Sequence, residues 1–161
     1  MIPRGGASRH DDLEVLRRER QRLLRRRYRL RGRLARLTEQ LELEEPAPAA
    51  EIVAAAKALR TDFPADYVQF IAASNGARGP VGGAHLELWP VHHLRRNNEA
   101  RGSEPFLVVF GAGSGGEEFA FRRGEFLRLP AAGKLAEPEA RGRTFADFLG
   151  SLAGEGIGQR S

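Results

Sequence analysis

Cysteine is absent from the 161 residues. That excludes disulfides, thiolate zinc sites, iron–sulfur clusters and cysteine nucleophiles. It fits a reducing compartment, and the expected location is the cytoplasm. No apolar run approaches the roughly 18 residues that a membrane span needs. The N-terminus, MIPRGGASRHDDLE, lacks the apolar core of a secretory signal, so none is expected. Tryptophan and methionine occur once each, and lysine and tyrosine twice each. Arginine, by contrast, occurs 24 times. Ala, Gly and Leu are abundant too, which fits a GC-rich coding sequence. Arginine identity by itself therefore carries little functional weight.

With 41% hydrophobic and 29% charged residues, the chain suits one ordinary globular domain with an appendage. The charge is uneven. Residues 1–45 hold 13 Arg and 8 acidic residues, whereas residues 46–161 hold 13 basic and 13 acidic ones. The whole net charge of +5 thus lies in the first 45 residues.

Residues 11–45 read as one basic amphipathic helix, an arm of roughly 50 Å at 1.5 Å per residue. Leu16, Leu23, Leu30 and Leu37 recur at heptad spacing and form a seam like that of a coiled coil. Ser8 and Asp11 resemble a capping box at its start. Gly32 is its weak link, at about 1 kcal/mol against Ala. Pro46 and Pro48 end it, and residues 46–50 read as a Pro/Ala linker. Arg20 and Arg27 occupy positions of the seam where an apolar residue belongs. Eleven Arg against one acid, Glu19, lie between Arg17 and Arg36. Self-pairing would set these charges against each other. The stripe, with Arg20, Arg25, Arg26, Arg27, Arg29 and Arg33 as candidate contacts, is therefore either a solvated face or a docking surface. Its partner would be nucleic acid, an acidic protein or an anionic membrane surface, the last disfavoured by an apolar face without Trp or Phe.

Residues 51–153 read as the globular domain, expected to fold without the arm, and residues 1–10 and 154–161 as flexible ends. Helices are expected at 51–60 and from Pro64 to the stop at Ser74-Asn75-Gly76. Residues 77–83 read as a loop and 91–96 as a single helical turn. Strands are expected at 86–88, 106–110, 119–121 and 126–129, with a hairpin turn at Arg122-Arg123-Gly124. Thr144 opens a last helix through Leu152. Helices and strands are segregated along the chain, which argues for an α+β fold.

Four segments in order carry a resemblance: FPADYVQFIAASNG, LELWPVHHL, FLVVFGAGSGGEEFAF and TFADFLGSL. Together they resemble the SUKH superfamily over about residues 51–152. That superfamily contains bacterial immunity proteins and the fungal cell-wall synthesis regulators. The resemblance implies a mixed or antiparallel sheet with helices packed on it. It also implies a cytosolic, non-catalytic protein that binds a partner toxin, commonly a nuclease, and blocks it. The arm lies outside the resemblance.

The chemical motifs are weak. Gly111-x-Gly113-x-x-Gly116 follows a strand as a dinucleotide fingerprint does, but Glu117 and Glu118 and another strand come next, where a helix should open. His85, His92 and His93 lack a further spaced ligand for a metal. Glu117 and Glu118 are strand neighbours and point to opposite faces, so they cannot act as an acid/base pair. Ser114 is not in a nucleophile elbow. No catalytic residue, cofactor or metal is expected. A blocker of a basic nuclease would present acid, and Glu87, Glu117 and Glu118 are the candidates, with Trp89 as a half-buried anchor. The alternative is a structural or assembly subunit whose arm docks a partner coil or nucleic acid, or self-associates through the leucine seam.

Overall fold

Short apolar-rich runs between glycine turns pair into one antiparallel sheet, while helices take up more of the described chain than strands do. The structure is a computed structural model and describes residues 6–27, 30–102, 104–132 and 137–154. Among the described residues, seven strands lie in chain order, every neighbouring pair antiparallel. They are β1 (Glu42–Leu43), β2 (Ala77–Val81), β3 (Ala84–Leu88), β4 (Leu107–Gly113), β5 (Glu118–Arg122), β6 (Glu125–Leu129) and β7 (Glu139–Ala140). The helices described with them are α1 (Gly6–Arg27), α2 (Gly32–Leu37), α3 (Ala49–Leu59), α4 (Ala65–Ala73), α5 (Val91–Arg101) and α6 (Phe145–Leu152). The fold is α+β, as the segregated order of elements implies. Residues 77–81 are strand, not loop, because Gly82 takes φ +61° and closes a hairpin with β3. The helix after Pro90 runs to Arg101, well past the single turn expected.

One face of the sheet is aromatic. Phe110, Phe119, Phe121 and Phe126 meet Tyr67 and Phe70 from α4 and Phe145 and Phe148 from α6, all withdrawn from solvent. Phe119 and Phe148 pack edge to face with centroids 5.0 Å apart. Such pairs add about 0.5–1.5 kcal/mol each to the burial of their area. On the other face, Val109, Ala120, Leu127 and Leu129 form a smaller apolar cluster. Trp89 touches both clusters and is half-buried between them.

The arm is not one long helix. α1 begins at Gly6, ahead of the Ser8–Asp11 pair, and ends at Arg27; α2 starts afresh at Gly32. Gly32 takes φ +58°, a left-handed turn that no continuing helix tolerates. The physical reason for the break is burial. Leu24, Leu34, Leu37, Leu41 and Leu43 all join the domain's core. A straight helix would hold most of them in water, at about 1.5–3 kcal/mol each. The chain beyond α2 becomes β1 and pairs with β2 through Glu42–Arg78 and Leu43–Ala77. The expected linker is likewise part of the fold. Ala47 is buried and its N–H donates to the Ile71 carbonyl at 2.9 Å, and α3 already begins at Ala49.

Two side-chain amides replace missing strands. A primary carboxamide carries the same donor and acceptor as a peptide unit. On the outer edge of β1, Gln21 donates to the Leu43 carbonyl at 2.8 Å and accepts from its N–H at 2.7 Å. At β4, the Trp89-Pro90 step carries the chain away from the sheet and leaves Val109 without a neighbour on that side. Asn98 of α5 fills the gap, accepting from the Val109 N–H at 2.8 Å and donating to its carbonyl at 2.9 Å.

Candidate functional site

The motif residues of the globular domain act as braces. The Asp66 carboxylate, in the first turn of α4, accepts from the N–H groups of Phe145 and Ala146, each at 2.9 Å. It thereby caps α6, whose own Thr144 accepts from the Asp147 N–H at 2.9 Å. A carboxylate suits the positive end of a helix. The Ser74 hydroxyl accepts from the Glu44 N–H and donates to the Gly76 carbonyl. The Asn75 side chain accepts from the Val91 N–H at 2.7 Å and so caps α5. Gly76 takes φ +99°, and a Cβ there would stand 2.8 Å from the Leu88 carbonyl oxygen.

These braces hold the walls of a cleft of about 350 Å³. Glu44, Glu45, Asn75, Arg78, Glu87 and His92 give it its polar lining. Glu87 is exposed and faces Arg78 across β2 and β3, yet makes no ion pair among the described residues. Arg20 of α1 reaches over to Glu44 at 3.7 Å and Glu45 at 3.8 Å. His92 lies 3.9 Å from Glu51 and stacks edge-on against His93, whose imidazole is held below its ordinary pKa by desolvation, then by His92 and Arg96. The cleft is lined by three carboxylates, one guanidinium and one imidazole, and Arg20 adds a second guanidinium from outside it against Glu44 and Glu45. That set has no hydroxyl nucleophile, but it suits a basic surface.

The acidic residues expected to act together are divided. Glu87, Ala112 and Glu118 are in register across β3, β4 and β5, so Glu87 and Glu118 share a face with Ala112 between them. Glu118, however, is paired with Arg101 at 3.0 Å. Glu117 turns back to accept from the Gly115 N–H at 2.8 Å and fills the space a Cβ on Gly113 would need. Gly111, Gly113 and Gly116 serve the β4–β5 hairpin: a Cβ on Gly111 would stand 2.5 Å from the Glu87 carbonyl oxygen. His85 lies opposite Pro80 in the β2–β3 hairpin.

The arm's arginines are partly spent on the fold. Arg25 donates to the carbonyls of Thr38 and Leu41, and Arg33 pairs with Asp147 at 2.7 Å. Burial pushes the Arg25 guanidinium below its ordinary pKa, against the opposing pull of Glu39. The side chains of Arg26 and Arg27, and Arg29 as a whole, lie outside the described residues. The leucine seam splits: Leu37 is buried and Leu30 half-buried, whereas Leu16 is 63% and Leu23 53% exposed. Glu44, Glu45, Gln21 and Asn98 escaped the reading of the sequence. The two glutamates looked like the acidic end of a helix. Gln21 stood out only as a neutral residue among arginines, and Asn98 only as the second of two asparagines.

An antiparallel sheet with helices packed on its aromatic face is the arrangement that the resemblance to the SUKH superfamily implies. The chain belongs to the SMI1 / KNR4 family (SUKH-1), which matches it over residues 46–151. That family includes immunity proteins and is generally non-catalytic. No curated protein matches the chain. No helix among the described residues is long and apolar enough to cross a membrane.

Proposed function

We propose that this chain is a non-catalytic, immunity-type protein that binds a toxin and blocks it in the cytoplasm, without a metal or cofactor. The observation that carries this reading is the acidic cleft. Glu87 has no ion pair among the described residues, Glu44 and Glu45 stand opposite and share Arg20, and hydrogen bonds from Ser74 and Asn75 brace the walls. A basic surface, such as that around a nuclease active site, is its electrostatic complement. The family supports the reading, since it includes immunity proteins.

The test is to look for a toxin domain encoded beside its gene and to co-express the two. The parent chain should restore growth and bind that domain. Glu45→Lys with Glu87→Lys should weaken binding by at least about tenfold and lose protection. Both residues are exposed, so the melting temperature should hold. Protection that survives both reversals would overturn the cleft as the blocking surface.

A second reading is favoured by the exposed leucines of α1. Here the chain is an assembly subunit whose basic arm docks a partner coil, a second copy or nucleic acid. Leu16→Asp with Leu23→Asp should abolish self-association in sedimentation without changing the melt, because both side chains lie mainly in water. Nucleic-acid binding would instead show a salt slope of about −0.9 per phosphate neutralised on duplex DNA. A parent chain that stays monomeric and binds neither nucleic acid nor acidic protein at low salt removes this reading.

A further inference from the structure

The end of the molecule opposite the acidic cleft, at the C-terminus of α5, carries a second surface. Pro105 and Phe106 form a turn closed by the Leu107 N–H on the Glu104 carbonyl at 3.2 Å. Phe106 takes φ +66°, at the position that type II turns reserve for glycine. A bulky residue there is a genuine outlier, held at a cost of about 1–3 kcal/mol. Packing does not explain its presence, because the residue is 46% exposed. Among the described residues its ring meets the Arg123 guanidinium, 4.3 Å from the ring centre.

Among the described residues, Arg60 and Arg123 are the other non-glycine positions with positive φ, at +55° and +50°. Arg60 ends α3 and Arg123 opens the β5–β6 turn, places where glycine is again the cheaper choice. All three meet in one cleft of about 440 Å³, together with Thr61, Asp62 and Phe63. Arg60 and Phe106 also wall a neighbouring cleft of about 350 Å³, whose apolar lining includes Leu59, Pro105 and Leu107. Phe106 is thus a ridge between an apolar slot and one flanked by two guanidinium groups. Neither Arg60 nor Arg123 has a carboxylate partner among the described residues, whereas Arg101 and Arg122 are paired with Glu118 and Glu104.

We propose that this ridge is a docking site for an acidic peptide segment of a protein partner. The segment would place an apolar side chain in the slot beside Phe106 and a neighbouring carboxylate against Arg60 and Arg123. Charge complementarity selects this occupant. Nucleic acid fits worse, because a phosphate backbone is charged at every step and would set further charges against Asp62, Glu99 and Glu104 in the same two clefts, whereas a peptide can present a single carboxylate to Arg60 and Arg123. An exposed aromatic flanked by arginines has the composition of an interface hot spot. The site does not depend on the toxin-blocking reading.

Glycine itself supplies the test. Phe106→Gly in the full chain relieves the backbone, so it should melt within about 2 °C of the parent or above it. A random peptide library displayed on phage and panned against the parent should enrich sequences with Asp or Glu beside Leu, Ile or Phe. Those peptides should bind Phe106→Gly, and Arg60→Glu with Arg123→Glu, at least about tenfold more weakly. A clearly lower melt for Phe106→Gly would assign Phe106 to packing and overturn the proposal. So would enrichment of basic peptides, enrichment indifferent to Phe106, no enrichment at all, or displacement of the peptides by oligothymidylate.

Discussion

A chain that starts at Ala49 should fail to give a cooperative thermal melt, although it contains nearly all of the family's matched segment. Removing residues 1–48 deletes β1 and five core leucines, Leu24, Leu34, Leu37, Leu41 and Leu43, together with Ala47. Truncating one buried Leu to Ala costs about 2–5 kcal/mol. A domain's entire stability is about 5–15 kcal/mol. The deletion also strips β2 of its outer neighbour, Ser74 of the Glu44 N–H and Asp147 of Arg33. A chain that starts at Leu30 keeps all of these except Leu24 and the Gln21 and Arg25 contacts, and should still melt cooperatively, at a lower temperature. Calorimetry on the two truncations decides the matter. A sharp transition for the shorter one at the parent's temperature would show that the arm is an independent appendage.

That expectation reverses what the sequence suggests, and the reason is physical. Heptad leucines look alike whether their partner is another helix or the chain's own sheet. Leu16 and Leu37 share one spacing pattern, yet one lies in water and the other in the core. Periodicity identifies an apolar stripe but not what covers it. Elements whose signals are local were legible: the Thr144 cap, the Ser74-Asn75-Gly76 stop, the strand around Val108 and the hairpin at Arg123-Gly124. Strand β2 was not, because its Gly79 and Pro80 read as loop. Gly79 is there for close approach, since a Cβ on it would stand 3.1 Å from the Gln40 carbonyl oxygen.

The candidate site divides in the same way. Glu87 was legible because an exposed acid on a strand needs no tertiary information. Glu117 and Glu118 looked equivalent to it, but their partners come from a turn and from α5, which only the fold brings near. Glu44 and Glu45 were hidden by the mistaken extent of the arm. Once β1 is a strand, the two glutamates follow it directly and face the Ser74-Asn75-Gly76 turn. The cleft therefore exists only because the arm folds back, which ties the proposed blocking surface to the stability of residues 30–47.

Asn98→Ala should be the most damaging single substitution away from the aromatic core. Asn98 is buried, and its side chain serves the Val109 N–H, the Val109 carbonyl and the Leu94 carbonyl at once. Alanine leaves both Val109 groups buried without a partner, each at about 1–3 kcal/mol. The expected loss is therefore about 2–6 kcal/mol, a large share of a domain's stability. Water could relieve the damage only by entering beside Val109, which is itself out of solvent. Asn98→Asp separates hydrogen bonding from packing. It keeps the shape and can still accept from the Val109 N–H, but the ionised carboxylate faces the carbonyl oxygens of Val109 and Leu94. Burial and those carbonyls would raise the folded-state pKa of the new Asp above its unfolded value. Its protonated form can donate, so the variant should be closest to the parent at low pH. It should lose stability as pH rises through the range between the unfolded and folded pKa values, where the unfolded chain gives up its proton first. Urea melts of both variants across pH test this. An Asn98→Ala protein within about 1 kcal/mol of the parent would mean that the Val109 peptide finds another partner, and that α5 does not stand in for a strand.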